Sequence, residues 1–419
     1  MNVEIINTGS KLMLGRVLNT HQQWLCRRLA DLGQVVTRQV AVADRGRDIQ
    51  QAVREALTRA DLILTTGGLG PTSDDITREL IAELLGCKLV PSPLVLAHIE
   101  AFFAQRNRPR PPKTDVETLV PEGAEVFLNP TGTAPGLALK IPAWENTPAG
   151  QSRWLVMLPG PPRELRPMFD ASVVPWLQRE FAPEIFICRT LRSTGVGESR
   201  VQEMVEAALQ PLVARGLEIG YCARPGAVDV RLTARGTPAP DLVREGETVV
   251  QGILGANIYG QDDDDLETVV VRLLTRHRQT LALAESCTGG NIAHRVTNVP
   301  GASAVFWGGV TSYANAAKES LLGVAAETLR LHGAVSEPVA REMAAGARAR
   351  SGADFALAVT GIAGPDGGTP EKPVGTVFIA LASAQGVQVE RRLNPWDRLT
   401  FKDVTATQAL ELLRQNLKA

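Results

Sequence analysis

Hydrophobic residues recur along this chain with two alternating periods. Across roughly the first 170 residues, short β-branched runs at 4–7, 35–42, 61–66 and 154–158 predict strands, and amphipathic stretches at 19–32 and 48–59 predict helices. Strands that alternate with helices in this way predict βα units around a parallel sheet. Two of the strands run into glycine-rich turns, Thr65-Thr66-Gly67-Gly68-Leu69-Gly70-Pro71-Thr72 and Leu158-Pro159-Gly160-Pro161-Pro162. Ligands of open α/β sheets bind beyond the carboxyl ends of the strands, so both turns fall where a site is expected. The Pro- and Arg-rich segment 106–113 predicts a loop.

From residue 183 the pattern changes. A helix at 196–209, strands near 217–221 and 228–234, and a helix at 241–254 predict a small α+β module over 183–260. The run Asp262-Asp263-Asp264-Asp265 follows and marks a domain boundary. Four acids there cap a helix start or solvate a linker, or else form a cation site. Beyond them, over 262–419, βα alternation resumes with three glycine-rich corners. The predicted fold class is α/β: one α/β domain over 1–175, the α+β module, and a second α/β domain.

Composition narrows the function. Among 419 residues, Lys and Arg total 44 against 45 Asp and Glu, a formal net charge of −1, so no basic field steers the chain towards nucleic acid. Aromatic residues are 5%, too few for an extended base-stacking platform. The five cysteines, Cys26, Cys87, Cys188, Cys222 and Cys287, form no CxxC pair, which disfavours zinc or disulfide scaffolding and fits a reducing cytoplasm. No apolar run approaches the about 20 residues that span a bilayer, and the N-terminus lacks the features of a signal peptide, so a cytoplasmic protein without membrane contact is expected.

The most specific chemistry lies in the last domain. An apolar strand at 280–284 leads into Glu285-Ser286-Cys287-Thr288-Gly289-Gly290 and then a helix at 291–297. Ser286 thus stands on a strand-to-helix turn, either as an N-cap or as a nucleophile whose oxyanion the helix amides stabilise. A second corner, Gly308-Gly309-Val310-Thr311-Ser312-Tyr313-Ala314-Asn315-Ala316-Ala317-Lys318, puts Lys318 in the first turn of a helix. Dipole and burial both depress a lysine pKa there. The third corner is Thr360-Gly361-Ile362-Ala363-Gly364-Pro365-Asp366-Gly367-Gly368. If the three converge, they supply a Ser nucleophile with a Lys base. His21, His98, His277, His294 and His332 all lie outside the corners, which disfavours a Ser-His-Asp triad. Cys287 is a rival nucleophile, or a small side chain packed under the turn. In the first domain, Asp74 and Asp75 follow the Gly67–Thr72 turn and either cap a helix or hold a divalent cation beside a pyrophosphate, with Asp44 as a further carboxylate or a turn residue.

These residues carry a resemblance. Ala284-Glu285-Ser286-Cys287-Thr288-Gly289-Gly290, Val299-Pro300-Gly301, the corner ending in Lys318, and Thr360 to Pro365 with Lys372-Pro373-Val374-Gly375-Thr376 resemble the C-terminal domain of the CinA family. The resemblance implies an amidohydrolase of pyridine-nucleotide salvage that converts nicotinamide mononucleotide to nicotinate mononucleotide and ammonia without a cofactor. Ser286 is then the nucleophile, Lys318 the base and Tyr313 an accessory hydroxyl. Thr288, Gly289, Gly290, Asn315, Thr360 and Gly361 become the expected substrate-binding positions, with amides of the 286–290 turn and of Thr360 on the oxyanion or phosphate. The family's late basic pair appears as Arg398 and Lys402. Arg is expected at the second place, and Lys there loses the bidentate fork for phosphate.

The resemblance extends over nearly the whole chain. The Gly67–Thr72 turn with Asp74-Asp75, Asn129-Pro130-Thr131-Gly132-Thr133-Ala134-Pro135-Gly136, and Pro159-Gly160-Pro161-Pro162-Arg163-Glu164 resemble the molybdopterin-binding-type domain at the front of CinA proteins, which is similar to a metal-dependent ADP-ribose pyrophosphatase. The implied nucleotide site is Gly67, Gly68, Gly70, Asp74, Asp75, Gly160 and Glu164. Asp44 and Asp75 would hold a divalent metal, Mg, Mn or Co, with potassium as a further ion. The α+β segment resembles the family's KH-type module, but it shows no GXXG clamp and is not basic, so small-molecule nucleotides are the expected partners. The resemblance, and not the sequence pattern, implies a homodimer. Two departures bear on the first domain: Lys11 where an acid is expected, and Val116-Glu117-Thr118 in place of a Lys-Gln-Ala stretch. Either Lys11 and Glu117 form a compensating pair or the pyrophosphatase has decayed. The alternative function is a non-catalytic regulator that binds nucleotide or molybdopterin and is linked to competence or DNA damage.

Overall fold

A computed structural model describes residues 1–142, 144, 152–181 and 185–417; the expected boundary residues Pro183 and Ala419 lie outside them. The chain forms two compact units, Met1–Ile187 with Arg235–Thr237, and Cys188–Ala234 with Pro238–Ala419.

In the first unit the strands are β1 (Val3–Thr8), β2 (Val36–Val42), β3 (Leu62–Thr66), β4 (Leu89–Pro91), β5 (Leu119–Pro121), β6 (Glu125–Phe127), β7 (Gly136–Ile141) and β8 (Arg153–Leu158). The helices are α1 (Ser10–Met13), α2 (Thr20–Asp31), α3 (Gly46–Leu57), α4 (Thr77–Leu85), α5 (Pro93–Ala104), α6 (Pro162–Met168) and α7 (Val174–Glu180). Six strands make one sheet in the order β2-β1-β3-β8-β7-β6, parallel from β2 to β8, with β7 and β6 antiparallel. Side chains alternate across a strand, so a run buried on both faces means a layer on each side. Val3 and Ile5 pack with Leu25 and Leu29 of α2, and Ile6 packs with Val53 and Leu57 of α3. The segment 106–113 begins as the expected loop, but Pro112 opens a 3₁₀ helix, Pro112–Thr118, because its fixed φ suits a first helical turn.

The second unit begins with the α+β module. Its strands β9 (Phe186–Thr194), β10 (Glu218–Arg224), β11 (Ala227–Arg235) and β12 (Ile258–Gln261) lie in the order β10-β11-β9-β12, with helices α8 (Glu198–Val213) and α9 (Ala239–Leu254). The acids at 262–265 act locally: Asp262 pairs with Arg189, Asp264 pairs with Arg272, and Asp265 precedes α10.

The rest of that unit holds β13 (Leu281–Glu285), β14 (Phe306–Thr311), β15 (Phe355–Gly361), β16 (Thr376–Ser383) and β17 (Gly386–Leu393). Its helices are α10 (Leu266–His277), α11 (Asn291–Thr297), α12 (Asn315–Leu322), α13 (Ala326–His332), α14 (Glu337–Ser351) and α15 (Arg398–Leu417). The sheet order is β14-β13-β15-β16-β17, parallel over the first three strands. Leu281 and Leu283 face α10, α11 and α15 through Leu274, Ile292 and Leu410. Ala282 and Ala284 face the opposite way, where Val339 and Met343 of α14 pack closely over the small side chains. The three parallel strands therefore end side by side at one edge of the sheet.

Candidate active site

Two backbone hydrogen bonds tie those strand ends together. The Ser312 amide donates to the Glu285 carbonyl at 2.8 Å and the Ser286 amide donates to the Val359 carbonyl at 3.0 Å. The three glycine-rich corners thus converge, as the sequence pattern required. A cavity of about 290 Å³ opens there, lined by Ser286, Lys318, Tyr313, Asn315, Thr360 and Arg398 among others.

Lys318 is fully buried, and its Nζ makes three contacts: Ser286 Oγ at 3.1 Å, the Ser312 carbonyl at 2.8 Å and the Tyr313 carbonyl at 3.3 Å. Burial disfavours the ammonium and lowers the lysine pKa. A neutral amine has two N–H bonds and one lone pair. As the ammonium, Nζ donates to all three oxygens; in the neutral form the two carbonyls would take its N–H bonds and leave the lone pair facing Ser286 Oγ. Such an arrangement can serve a base that takes one proton from Ser286. Burial pushes the Cys287 thiol up to about 12, so the rival nucleophile stays protonated and packs under the turn.

The amides of α11 are not where the sequence reading puts them to use. The Glu285 carboxylate, itself buried, accepts from the Gly290 amide at 3.0 Å, the Ile292 amide at 3.1 Å, the Ala293 amide at 2.8 Å and the Thr288 hydroxyl at 2.7 Å. An internal anion therefore occupies the helix N-terminus and takes the Gly290 amide, so that amide is not free for a substrate phosphate. Thr288 is turned inward for the same reason, and Gly289 and Gly290 lie outside the cavity lining. The Thr360 hydroxyl donates to the Ala334 carbonyl at 2.8 Å, while Thr360 and Gly361 still line the cavity. Tyr313 is exposed at the rim, and its hydroxyl accepts from Arg398 Nη2 at 2.6 Å. Arg398 Nη1 also donates to the Gly364 carbonyl at 2.8 Å, which straps two corners together. Lys402 does not line the cavity; its Nζ lies 3.7 Å from where a β-carbon on Gly289 would stand.

Glu285 and Asp366 are the functional candidates of this domain that the sequence reading passed over. An acid one residue before a helix-start turn is the visible signal for the first. Asp366 gave none, because a carboxylate in a glycine-rich loop reads as a turn residue.

In the first unit, the turns after β3 and β8 do come together. The Gly67 amide donates to the Leu158 carbonyl at 2.9 Å, and a β-carbon on Gly160 would stand 3.4 Å from Gly67 Cα. Gly68 has φ +70° and a β-carbon there would meet Thr77 Oγ1 at 2.0 Å, so only glycine fits. Gly70 packs against Asp75. The carboxylates are used locally. Asp75 Oδ2 accepts from the Thr72 amide at 3.1 Å and the Thr72 hydroxyl at 2.6 Å, and Asp74 Oδ1 accepts from the same hydroxyl at 2.5 Å. Asp44 accepts from the Ser10 amide at 2.7 Å, and Glu164 accepts from Asn129 Nδ2 at 2.9 Å. Among the described residues no three His, Cys, Asp or Glu side chains converge as a metal-ligand set. Asp44 and Asp75 belong to no such set, and no step through a metal is derived.

The proposed pairing of Lys11 with Glu117 is also corrected. Glu117 is fully buried, accepts from the Thr133 hydroxyl at 3.0 Å and feels the charge of Arg78 together with those of Glu164 and Asp75, while exposed Lys11 acts on Asp74. Burial pushes the Glu117 carboxyl up to about 7. His21 was not anticipated. It reaches the Gly160 carbonyl through Nε2, its Nδ1 is buried without a partner, and burial lowers its pKa.

Comparison with known proteins decides the family. Residues 263–417 match the CinA C-terminal domain, 4–179 a probable molybdopterin binding domain, and 188–260 the damage-inducible protein CinA KH domain. A CinA-like protein of Akkermansia muciniphila is 44% identical over 98% of this chain and 96% of its own length. The chain belongs to the CinA family. A putative competence-damage inducible protein of Symbiobacterium thermophilum is 43% identical over 100% of this chain and 99% of its own length. The crystal structure of a competence/damage inducible protein from Agrobacterium tumefaciens covers 37% of this chain and 98% of its own, at 42% identity and a TM-score of 0.35. As a CinA protein the chain combines the molybdopterin-binding-type, KH-type and CinA C-terminal segments, and no helix among its described residues is long and apolar enough to cross a membrane.

Proposed function

We propose that the second unit hydrolyses the carboxamide of nicotinamide mononucleotide, giving nicotinate mononucleotide and ammonia. The observation that carries this reading is the contact of Lys318 Nζ with Ser286 Oγ, with two carbonyls taking the other bonds of the nitrogen. Lys318 Nζ takes the hydroxyl proton as Ser286 Oγ attacks the amide carbon. The resulting ammonium returns that proton to the leaving nitrogen, ammonia departs, and an acyl-serine remains. A water then gives its proton to Lys318 and attacks the ester, and Ser286 recovers its hydroxyl as the carboxylate leaves. These steps use no cofactor.

Ammonia release from nicotinamide mononucleotide by the full chain tests the reading. Ser286→Ala and Lys318→Ala should each lower kcat/KM by at least about a thousandfold with an unchanged circular dichroism spectrum. In the unmodified chain kcat/KM should rise with pH to a plateau, with a midpoint below the ordinary lysine range, because only the neutral amine accepts the proton. Full activity in Ser286→Ala refutes the mechanism, and tight nucleotide binding without ammonia release refutes the activity in favour of a regulatory role.

A further inference from the structure

The Ser–Lys pair leaves one feature of the cavity unused. Asp366 lines it, is exposed, and makes no hydrogen bond or ion pair among the described residues. Its position is nonetheless fixed. A β-carbon on Gly364 would meet Val374 Cγ1 at 2.6 Å, and one on Gly368 would meet the Val374 nitrogen at 2.7 Å, so both sides of the loop are seated on the following segment. The Ile362 amide donates to the Thr376 carbonyl at 2.8 Å and the Gly375 amide returns a bond to the Ile362 carbonyl at 2.8 Å, closing the base of the loop. A carboxylate held on a pinned loop at a cavity mouth, with no partner among the described residues, is available to a ligand.

The charges of the lining complete the picture. Lys318 is committed to Ser286, and Arg398 is the remaining base of the lining. Arg398 reaches the Gly364 carbonyl, in the loop that carries Asp366, yet no ion pair joins the two side chains among the described residues. The mouth thus offers one anion and one cation, each unneutralised by the other. A ligand matched to it carries both signs. The proposed substrate does: its ring is a quaternary pyridinium and its phosphate is anionic.

We infer that Asp366 is a specificity-determining residue that selects the cationic, oxidised nicotinamide ring over neutral rings of the same shape class. The inference rests on the proposed deamidation for the identity of the ligand. Asp366 takes no part in proton transfer; it acts on affinity through charge.

The test separates charge from shape by binding. In full-length Ser286→Ala protein, which cannot turn over, calorimetry gives dissociation constants for nicotinamide mononucleotide and for its 1,4-dihydro form, whose ring is neutral. The same pair is measured with Asp366→Asn and with Asp366→Glu added. The preference for the oxidised form should fall about fivefold in Asp366→Asn, the size expected of one solvent-exposed charge pair, and should be retained in Asp366→Glu. In the otherwise unmodified enzyme, Asp366→Asn should raise KM for the oxidised nucleotide and leave kcat unchanged. An equal loss for both forms overturns the inference and points to the ribose hydroxyls, which the two ligands share; an unchanged preference with no loss overturns it as well. Ammonia release by the unmodified chain alongside either result leaves the deamidase reading standing. Failure of both ligands to bind refutes the two together.

Discussion

Glu117→Gln should stabilise the first unit at pH 8 and leave it nearly unchanged at pH 5. Glu117 is fully buried, Thr133 gives its Oε1 a hydrogen bond, and its Oε2 has no partner. Its carboxyl is raised from 4.5 to about 7, chiefly by burial. Between those two values the folded protein holds a proton that the unfolded chain has released, so stability falls as pH rises from 4.5 to about 7 and levels off above it. At about 1.4 kcal/mol per unit, the loss completed by pH 8 is about 3 kcal/mol, an upper bound that water penetration reduces. Gln is close to the neutral acid in shape and never ionises, so the variant avoids this loss. Urea unfolding followed by tryptophan fluorescence reads the first unit, because Trp176 is buried there while Trp307 and Trp396 of the second unit are exposed. The gain of Glu117→Gln over the unmodified chain should grow by about 2–3 kcal/mol between pH 5 and pH 8. A gain or loss of the same size at both pH values would show that Glu117 does not titrate in this range, and would refute the reasoning.

Two further substitutions probe the second unit. Cys287→Ala should keep ammonia release within about twofold of the unmodified chain, since a thiol at about 12 contributes no nucleophile near neutral pH; loss of activity with the fold intact would make the sulfur a participant. Glu285→Gln puts an amide N–H2 among four groups that all donate, so thermal or urea unfolding should show a loss of about 2–3 kcal/mol, with ammonia release falling as the Ser286 turn loosens. Unchanged stability would mean that the helix amides find other acceptors.

The reactive corner was legible because its parts are local. A buried strand that stops at Glu285 and a turn made of Thr288, Gly289 and Gly290 place Ser286 at a helix start by chain geometry alone. Lys318 needed one further step, that three parallel strands end together, and the βα pattern supplied it. What failed in each case was an inference about who occupies a charge-bearing position. The same helix N-terminus that suggests an anion site attracted Glu285, a carboxylate of the chain itself, five residues from the Gly290 amide. A pattern reading sees the amides and the acid but not that the acid folds back onto them, since that depends on the turn geometry. Lys11 and Glu117 fail for the complementary reason. Lys11 stands where the family has an acid and Glu117 lies next to a position that has lost a base, which suggests a pair, but Glu117 lies buried within reach of Arg78's charge and Lys11 faces solvent beside Asp74. Complementary sign is a necessary condition for pairing, and only tertiary position makes it sufficient. The charge of Asp366 is likewise visible in the sequence, but that no described residue pairs with it, and that it borders the cavity, are facts of packing alone.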